Sequence, residues 1–328
     1  MRCFWDEAQR AHAPRSEFFN GALHPAADVP ERVDSVLAAI GRTEAPERRG
    51  EAALLELLGT GHDPAYLDLL RTAHDEWRAA GRTGDALPYA FPVHRRPRDL
   101  QRIDARLGAH SFDTCAPISG GTWEALLAGT DTLLSALDVV LGGDHAFALT
   151  RPPGHHAGAD YMGGYSYLNW AAIAALAAGR RVAILDIDYH HGNGTQDMVA
   201  GRDGLRFASL HADPATDYPF FWGSAEESGG NVLNLPLPRG TAFDAYDAAL
   251  ARACDWLGEG APELLVLSFG ADTYEGDPIS HFAIRTGDYA RLGRRVAAMG
   301  LPTLVVLEGG YAVDALGANV AGLLSGLD

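Results

Sequence analysis

Five short apolar runs recur from residue 146 onward, and each is followed by Gly or Pro and then by polar, titratable residues. The runs are AFALT (146–150), RVAILDID (181–188), LRFASLH (205–211), ELLVLSFGAD (263–272) and TLVVLEGGY (303–311). Around them, apolar residues return at helical intervals of three and four in the stretches 122–143, 168–179, 244–258, 287–300 and 313–324. Nearly continuous apolar strands that alternate with helices predict an α/β fold: a three-layer, open, mostly parallel sheet with helices on both faces.

Titratable residues follow each predicted strand. The carboxyl ends of parallel strands meet at one edge of a sheet, where such sheets bind their ligands. In chain order these ends carry His155 and His156, then Asp186, Asp188 and His190, then Ser209 and His211, then Asp272, and finally Glu308 and Tyr311. We therefore expect side chains that are distant in the sequence to converge on one site.

Asp188, His190 and Asp272 are the predicted metal ligands. Because side chains alternate along a strand, Asp186, Asp188 and His190 are expected to share one face. Polar groups on a buried face are costly unless a cation or hydrogen bonds compensate them, so a hydrogen-bonded polar cluster is the alternative to a metal. Two carboxylates and one imidazole around a divalent ion leave a coordination position open, as hydrolytic zinc sites require. The set suits zinc, although Fe(II), Co(II) or Mn(II) can occupy such ligands.

His155 and His156 follow a Pro-Pro-Gly segment that sets two imidazoles side by side. A divalent metal lowers the pKa of bound water towards 7, and a nearby imidazole can accept its proton and later protonate a leaving amine. Tyr311 follows a Gly-Gly turn and could donate its hydroxyl to a carbonyl oxygen as negative charge develops. The pattern favours a metal-dependent hydrolase.

The charge balance restricts the class of partner. A net charge of −17, from 43 acidic and 26 basic residues, disfavours nucleic acids and anionic membranes and favours a cationic ligand. The first 25 residues hold no apolar core of a secretory signal, and no 18 apolar residues run together, so we expect a cytoplasmic protein. Residues 1–328 are expected to form one domain, with an elaborated excursion from the core at 81–121.

Six motifs, in this order and spacing, resemble those of the zinc-dependent deacetylase family of the arginase-deacetylase fold. They are RPPGHHAG (151–158), GGYSYLNWAAIAA (163–175), VAILDIDYHHGNGTQ (182–196), SLHADP (209–214), SFGADTYEGDP (268–278) and EGGYA (308–312). PERV (30–33) and HDPAYL (62–67) also match family patterns, so the resemblance covers nearly the whole chain. The family includes histone deacetylases and the bacterial acetylpolyamine amidohydrolases, and the chain looks most similar to the latter.

The resemblance implies two cation sites. The catalytic zinc ion would lie on Asp188, His190 and Asp272. A structural monovalent cation, usually potassium, would lie on Asp186, the Ser209 hydroxyl and the backbone carbonyls of Asp188, His190 and Leu210.

The resemblance also implies the roles of the two histidines. His156 would act as general base and then as general acid, and His155, held by Asp186, would be its electrostatic partner. Asn193 lies where several histone deacetylases have an aspartate. An amide cannot stabilise an imidazolium as a carboxylate does, so His156 should be more readily neutral, which favours the role of base.

The substrate tunnel is assigned by the same resemblance. Its aromatic walls correspond to Tyr165 and Tyr218. The backbone carbonyl of Gly164 would accept a hydrogen bond from the scissile amide, and Tyr311 would polarise the substrate carbonyl. Arg32 would line the exit for acetate.

Arginase, a relative with the same fold, needs further aspartates to hold a second manganese ion. In this chain the corresponding segments are Asp188-Tyr-His190-His191-Gly192 and Asp272-Thr-Tyr274, which end in glycine and tyrosine. The sequence therefore argues against a guanidine-hydrolysing site with two metals.

The expected function is removal of acetyl groups from small acetylated amines, acetylpolyamines above all. The excursion at 81–121 lies where the bacterial polyamine enzymes have a loop that narrows the entrance and contacts the partner of a homodimer. Ile279 lies where a polyamine-selective eukaryotic relative has a glutamate, so a carboxylate that reads the substrate ammonium must come from elsewhere: Glu275, Asp113 or Asp217. The alternatives are a protein or peptide lysine deacetylase and a non-catalytic, metal-dependent binding protein.

Overall fold

A parallel sheet forms the centre of the structure, a computed structural model that describes residues 1–19, 21–93 and 100–328. In these residues its seven strands are β1 Arg2–Phe4, β4 Ala146–Ala148, β5 Val182–Asp186, β6 Leu205–Ala212, β7 Val232–Leu237, β8 Leu264–Phe269 and β9 Thr303–Leu307. Their spatial order is β1-β4-β9-β8-β5-β6-β7, and all neighbours are parallel. A separate antiparallel hairpin consists of β2 Ser16–Phe19 and β3 Ala22–Pro25.

Helices flank this sheet. They are α1 Glu31–Ile40, α2 Glu51–Leu58, α3 Pro64–Ala79, α4 Ile103–Ala109, α5 Thr122–Leu141, α6 Trp170–Ala178, α7 Asn193–Val199, α8 Phe243–Gly258, α9 Tyr289–Ala297 and α10 Val313–Leu327. The five predicted helical stretches correspond to α5, α6, α8, α9 and α10. Of the described residues, none lies in a helix with both the length and the apolarity that a bilayer crossing requires.

Both faces of the sheet are covered, because alternate residues of one strand enter two different apolar clusters. Leu304 and Val306 of β9 pack in the cluster that includes residues of α2, α3, α5 and α6. Val305 and Leu307 pack in the cluster formed with α1, α8, α9 and α10. This arrangement confirms the predicted three-layer α/β fold with a parallel sheet.

The strand order brings together the five strand ends that are followed by polar, titratable residues. The strands β4, β9, β8, β5 and β6 are consecutive neighbours in the sheet, so the loops after them share one edge. In the strand register, Asp186 at the end of β5 is paired with Ser268 on one side and Ser209 on the other. The carboxyl edge of the sheet is therefore the place where the predicted site residues can meet.

In the described residues of the excursion at 81–121, α4 is the one helix, and an antiparallel bridge pairs Ala86 with Ile118 near the two ends of the segment. Residues 94–99 of this segment lie outside the described residues. After α4, the chain at Phe112 and Asp113 reaches the wall of a cavity that is also lined by His156, His190 and Tyr311.

Gly317 of α10 allows this helix to pack closely against α1. A Cβ atom at position 317 would overlap the carbonyl oxygen of Ser35. We expect Gly317→Ala to lower the free energy of unfolding by about 1–3 kcal/mol, because overpacking forces the two helices apart. Urea unfolding measures the change.

Gly258→Ala is the matched control for this prediction. Gly258 is the last residue of α8, and a Cβ there would have no neighbour within 4 Å. Helix propensity should then raise the free energy of unfolding by up to about 1 kcal/mol. Equal stability of Gly317→Ala and the wild-type protein would contradict the close packing of α1 and α10.

Candidate active site and metal centre

Asp188, His190 and Asp272 form a compact group in which one ligand atom from each lies within 4.8 Å of the others. The Nδ1 atom of His190 is 3.0 Å from Oδ2 of Asp272 and 3.3 Å from Oδ1 of Asp188. Both carboxylates are fully buried, and the His190 side chain is 12% exposed. The structure thus brings together the three residues that were predicted to bind a metal.

The geometry differs in one respect from the predicted strand alternation, because β5 ends at Asp186 and the next residues form a loop. The N–H of Asp188 donates to Oδ1 of Asp186 at 3.1 Å, and the N–H of Tyr189 donates to Oδ1 of Asp272 at 2.9 Å. Side-chain acceptors therefore replace the strand ladder for the N–H groups of Asp188 and Tyr189, whereas the N–H of Ile187 still donates to the carbonyl of Ser268 at 2.9 Å. The loop, and not a continued strand, aims Asp188 and His190 at the site.

Glycine residues lie against the two carboxylates, so that backbone atoms approach them closely. The N–H of Gly309 donates to Oδ2 of Asp188 at 2.8 Å. A Cβ atom at Gly309 would lie 2.5 Å from Oδ2 of Asp272, and one at Gly270 would overlap the Asp188 carboxylate. Only glycine permits this approach of the β8 and β9 loops.

The charges of the group show that a divalent ion fits it. Burial and the neighbouring Asp188 carboxylate raise the pKa of Asp272 to about 7. Burial opposes a charge on His190, but the hydrogen bonds to Asp188 and Asp272 raise its pKa to about 10. One divalent cation can replace these protons and compensate both buried carboxylates. Two carboxylate oxygens and one imidazole nitrogen are also the donor set of a zinc site with an open coordination position.

His155 and His156 lie beside this group, with their ring centroids 4.0 Å apart. The Nδ1–H of His155 donates to Oδ2 of Asp186 at 3.1 Å, and the Nδ1–H of His156 donates to Oδ1 of Asn193 at 2.7 Å. The different partners separate the two imidazoles chemically, one held by a carboxylate and the other by a neutral amide.

The pKa values of the two histidines move in opposite directions. Burial opposes a charge on His155, but the carboxylates of Asp188 and Asp186 raise its pKa to about 10. Burial, followed by repulsion from His155 and His190, holds the pKa of His156 well below its usual range. At neutral pH the first imidazole is therefore charged and the second is neutral, as a general base must be.

Glu308 supports the histidine segment and was not predicted to have a role. Its Oε2 accepts from the N–H of Gly154 at 2.6 Å and of His155 at 3.1 Å, and its Oε1 accepts from the Ser268 hydroxyl at 2.6 Å. Burial raises the pKa of Glu308 to about 7. Its position at the end of an apolar strand, before Gly-Gly-Tyr, was the available sequence signal.

Arg32 holds the turn that carries Tyr311. Its guanidinium donates to the backbone carbonyls of Glu308 at 2.6 Å and Gly310 at 2.7 Å, and to Oδ1 of Asp28 at 2.6 Å. The guanidinium carbon lies 4.9 Å from the centroid of the Tyr311 ring. Arg32 is buried behind this turn and is not one of the described residues that line the cavity.

The residues assigned to a monovalent cation lie at the end of β5 and on the adjacent part of β6. The Ser209 hydroxyl is 2.8 Å from Nδ1 of His211 and 3.3 Å from Nδ1 of His191. Asp186 uses its two oxygens for His155 and for the N–H of Asp188. Leu210 is fully buried in the apolar cluster on the α8 side.

A cavity of ≈ 520 Å³ leads to the catalytic residues, and His156, His190 and Tyr311 form part of its lining. Tyr165 and Tyr218, the predicted tunnel walls, also line it, with Tyr165 5.5 Å from Tyr311 and Tyr218 5.1 Å from His156 between ring centroids.

Gly164 shares this wall. It has a φ of +50°, and a Cβ atom there would overlap the ring of His156. Further aromatic lining residues are Phe18, Phe112, Phe220, Phe221 and Trp222.

Two of the three proposed ammonium-reading carboxylates line the cavity. Asp113 accepts from the Tyr218 hydroxyl at 2.8 Å and from the N–H of Gly164 at 2.9 Å. Asp217 is paired with Arg239 at 2.8 Å. The third, Glu275, lies 3.7 Å from Arg285 and is not among the described lining residues.

Glu17 is a second acidic group that the sequence did not single out. The Tyr165 hydroxyl donates to its Oε1 at 3.1 Å, and burial raises the pKa of Glu17 to about 7. Glu17 lies on the β2–β3 hairpin, outside the motifs that carry the catalytic residues. Its contact with Tyr165 therefore becomes visible only in the tertiary fold.

Comparisons with known proteins identify the family of the chain. The model of the histone deacetylase domain matches residues 25–327. The chain is 46% identical to acetylpolyamine amidohydrolase 1 of Pseudomonas aeruginosa, covering 100% of this chain and 99% of that protein. It is 41% identical to the acetylpolyamine amidohydrolase of Mycoplana ramosa, with 100% and 99% covered. The crystal structure of an acetylpolyamine aminohydrolase from Burkholderia pseudomallei matches with a TM-score of 0.93 at 36% identity, covering 100% of this chain and 98% of that one. The chain belongs to the histone deacetylase domain family.

Proposed function

We propose that this protein is a zinc-dependent amidohydrolase that removes the acetyl group from small acetylated amines, in particular acetylpolyamines, and releases acetate and the free amine. The observation that carries the proposal is the buried Asp188–His190–Asp272 group beside the neutral His156 and the hydroxyl-bearing Tyr311 in one cavity. The full-length similarity to proteins named acetylpolyamine amidohydrolases supports the substrate class.

The ion held by Asp188, His190 and Asp272 would supply Lewis acidity that activates water and polarises a carbonyl group. His156 is neutral and donates its Nδ1–H to Asn193, so its Nε2 is free to accept a proton from water and later to protonate the leaving amine.

Tyr311 supplies the second polarising group. Burial raises the pKa of Tyr311 far above its ordinary value, so the hydroxyl stays protonated and can donate to the developing oxyanion. Arg32 fixes this tyrosine through the backbone of the preceding turn.

The cavity suits a slender cation. Aromatic side chains on its walls attract cationic groups through their ring faces, and the net charge of −17 favours cationic ligands at long range. Among the three carboxylates considered, Asp113 lines the cavity and has no ion-pair partner in the part of the chain that the structure describes, whereas Asp217 is paired with Arg239. We therefore assign recognition of the substrate ammonium group to Asp113.

Four finer assignments belong to the same proposal. They are zinc as the physiological metal, a potassium ion at Asp186, Ser209 and Leu210, a homodimer, and one deacetylase domain over residues 1–328. A cytoplasmic location and the exclusion of nucleic acids and membranes as partners stay predictions from the sequence.

A substrate panel tests the proposed function. The zinc-reconstituted protein should hydrolyse N-acetylputrescine and acetylspermidine with a higher kcat/KM than an acetyllysine peptide, because the aromatic cavity admits a slender amine more readily than a peptide. Equal or better cleavage of the peptide would support a lysine deacetylase instead. Metal binding without hydrolysis of any substrate would support a non-catalytic binding protein.

Replacement of Tyr311 by phenylalanine tests the proposed electrophilic role. We expect Tyr311→Phe to lower kcat by about 100-fold, because loss of one oxyanion donor has an effect of this size. KM should change little, since the aromatic ring remains in the cavity wall. Equal metal content in the variant and the wild-type protein is the control, and unchanged rates would exclude this role for the hydroxyl.

A further inference from the structure

Hydrogen bonds continue outward from Asn193 to the protein surface. Beyond the 2.7 Å bond between His156 and Asn193, Nδ2 of Asn193 donates to the Tyr161 hydroxyl at 3.4 Å. The Tyr161 hydroxyl in turn donates to Oδ2 of Asp197 at 2.6 Å. His156, Asn193, Tyr161 and Asp197 therefore form one chain of hydrogen bonds.

The chemistry of its outer end sets the direction of this chain. Asp197 is exposed, and an ionised carboxylate can only accept. The Tyr161 hydroxyl must therefore donate to Asp197, and its lone pair is left to accept from the amide nitrogen of Asn193. The amide oxygen then faces His156, so the proton of the neutral imidazole lies on Nδ1 and Nε2 is free.

Tyr161 is well placed for this purpose because its ring is fixed on several sides. It packs edge-on against Phe112, with ring centroids 5.7 Å apart, and is stacked with Trp222 at 6.5 Å. A Cβ atom at Gly158 would overlap the ring, so glycine is required beneath it. Burial, and then the Asp197 charge, raise the pKa of Tyr161 far above its usual value, so the hydroxyl keeps its proton.

Asn193 and Asp197 are both supplied by one helix. They lie four residues apart on α7 and therefore project from the same face. A single rigid element thus presents the amide to His156 and the carboxylate to the tyrosine that holds this amide.

We propose that Tyr161 and Asp197 are positioning residues that act through Asn193 to hold His156 in the tautomer with a free Nε2. The inference rests on the proposed amide hydrolysis. Without the Tyr161 hydroxyl, the Asn193 amide loses the partner of its nitrogen and can rotate to present that nitrogen to His156. The imidazole would then carry its proton on Nε2 and could not accept one from water.

Tyr161→Phe tests this proposal, because the ring and its packing remain and only the hydroxyl is lost. We expect kcat for N-acetylputrescine to fall about fivefold, the effect of one net hydrogen bond. KM should stay within about twofold, since the hydroxyl points away from the substrate cavity, towards Asp197. Absence of turnover in the wild-type protein would contradict the proposed function and not this inference.

Measuring the effect of Tyr161→Phe in a protein that already carries Asn193→Ala shows whether Tyr161 acts through Asn193. If Tyr161 acts only through Asn193, adding Tyr161→Phe to Asn193→Ala should change kcat by less than about twofold. An equal fivefold loss in both backgrounds would overturn the proposal.

The matched control is Tyr66→Phe, which also removes a buried hydrogen bond of a tyrosine hydroxyl. This hydroxyl donates to the carbonyl of Tyr167 at 2.6 Å and lies outside the site. Its kcat should equal that of the wild-type protein.

Asp197→Ala is a second variant at an exposed position, where folding should be unaffected. Loss of the fixed acceptor frees the Tyr161 hydroxyl to rotate, so kcat should fall by about twofold.

Nitrogen NMR of labelled histidine gives a readout besides activity. The His156 resonances, assigned by their loss in His156→Ala, should move towards the Nε2–H tautomer in Tyr161→Phe but not in Tyr66→Phe. Wild-type kcat in Tyr161→Phe and Asp197→Ala, with an unchanged tautomer, would overturn the proposal.

Discussion

The burial of two carboxylates, Asp188 and Asp272, against each other at the carboxyl edge of the sheet is the constraint on which the rest of the site depends. Their mutual repulsion away from water needs a compensating cation, and His190 completes a donor set for a divalent ion. The surrounding backbone is adapted to this requirement: N–H groups of Tyr189 and Gly309 donate to the carboxylates, and glycines leave room for them.

A second consequence is the different character of two adjacent imidazoles. His155 faces carboxylates and becomes a cation, whereas His156 faces the amide of Asn193 and the positive groups beside it and stays neutral. The sheet edge therefore supplies a fixed positive charge and a proton acceptor within one dipeptide. When their surroundings move the pKa values of two neighbouring groups apart, one group can serve as an acid and the other as a base.

The fold and the metal group could be predicted because their signals are local. Apolar runs that end in titratable residues located β4, β5, β6, β8 and β9, and the parallel arrangement places their ends together. The exact path after Asp186 could not be predicted, since side-chain acceptors there end the strand early. Glu308 was placed at the sheet edge by its strand, but its hydrogen bonds to the N–H groups of Gly154 and His155 depend on the tertiary fold. Glu17 and Tyr161 could not be predicted for a related reason. Both contact residues far along the chain, and neither periodicity nor the spacing of motifs carries that information.

The metal content of the protein tests the central claim most directly. After reconstitution with zinc and removal of loosely bound ions, elemental analysis should find one equivalent in the wild-type protein and in Tyr311→Phe, and much less in Asp188→Ala and Asp272→Ala. Anomalous scattering should locate this ion between Asp188, His190 and Asp272. A wild-type protein that binds no transition metal, or an Asp188→Ala variant that retains a full equivalent, would contradict the account.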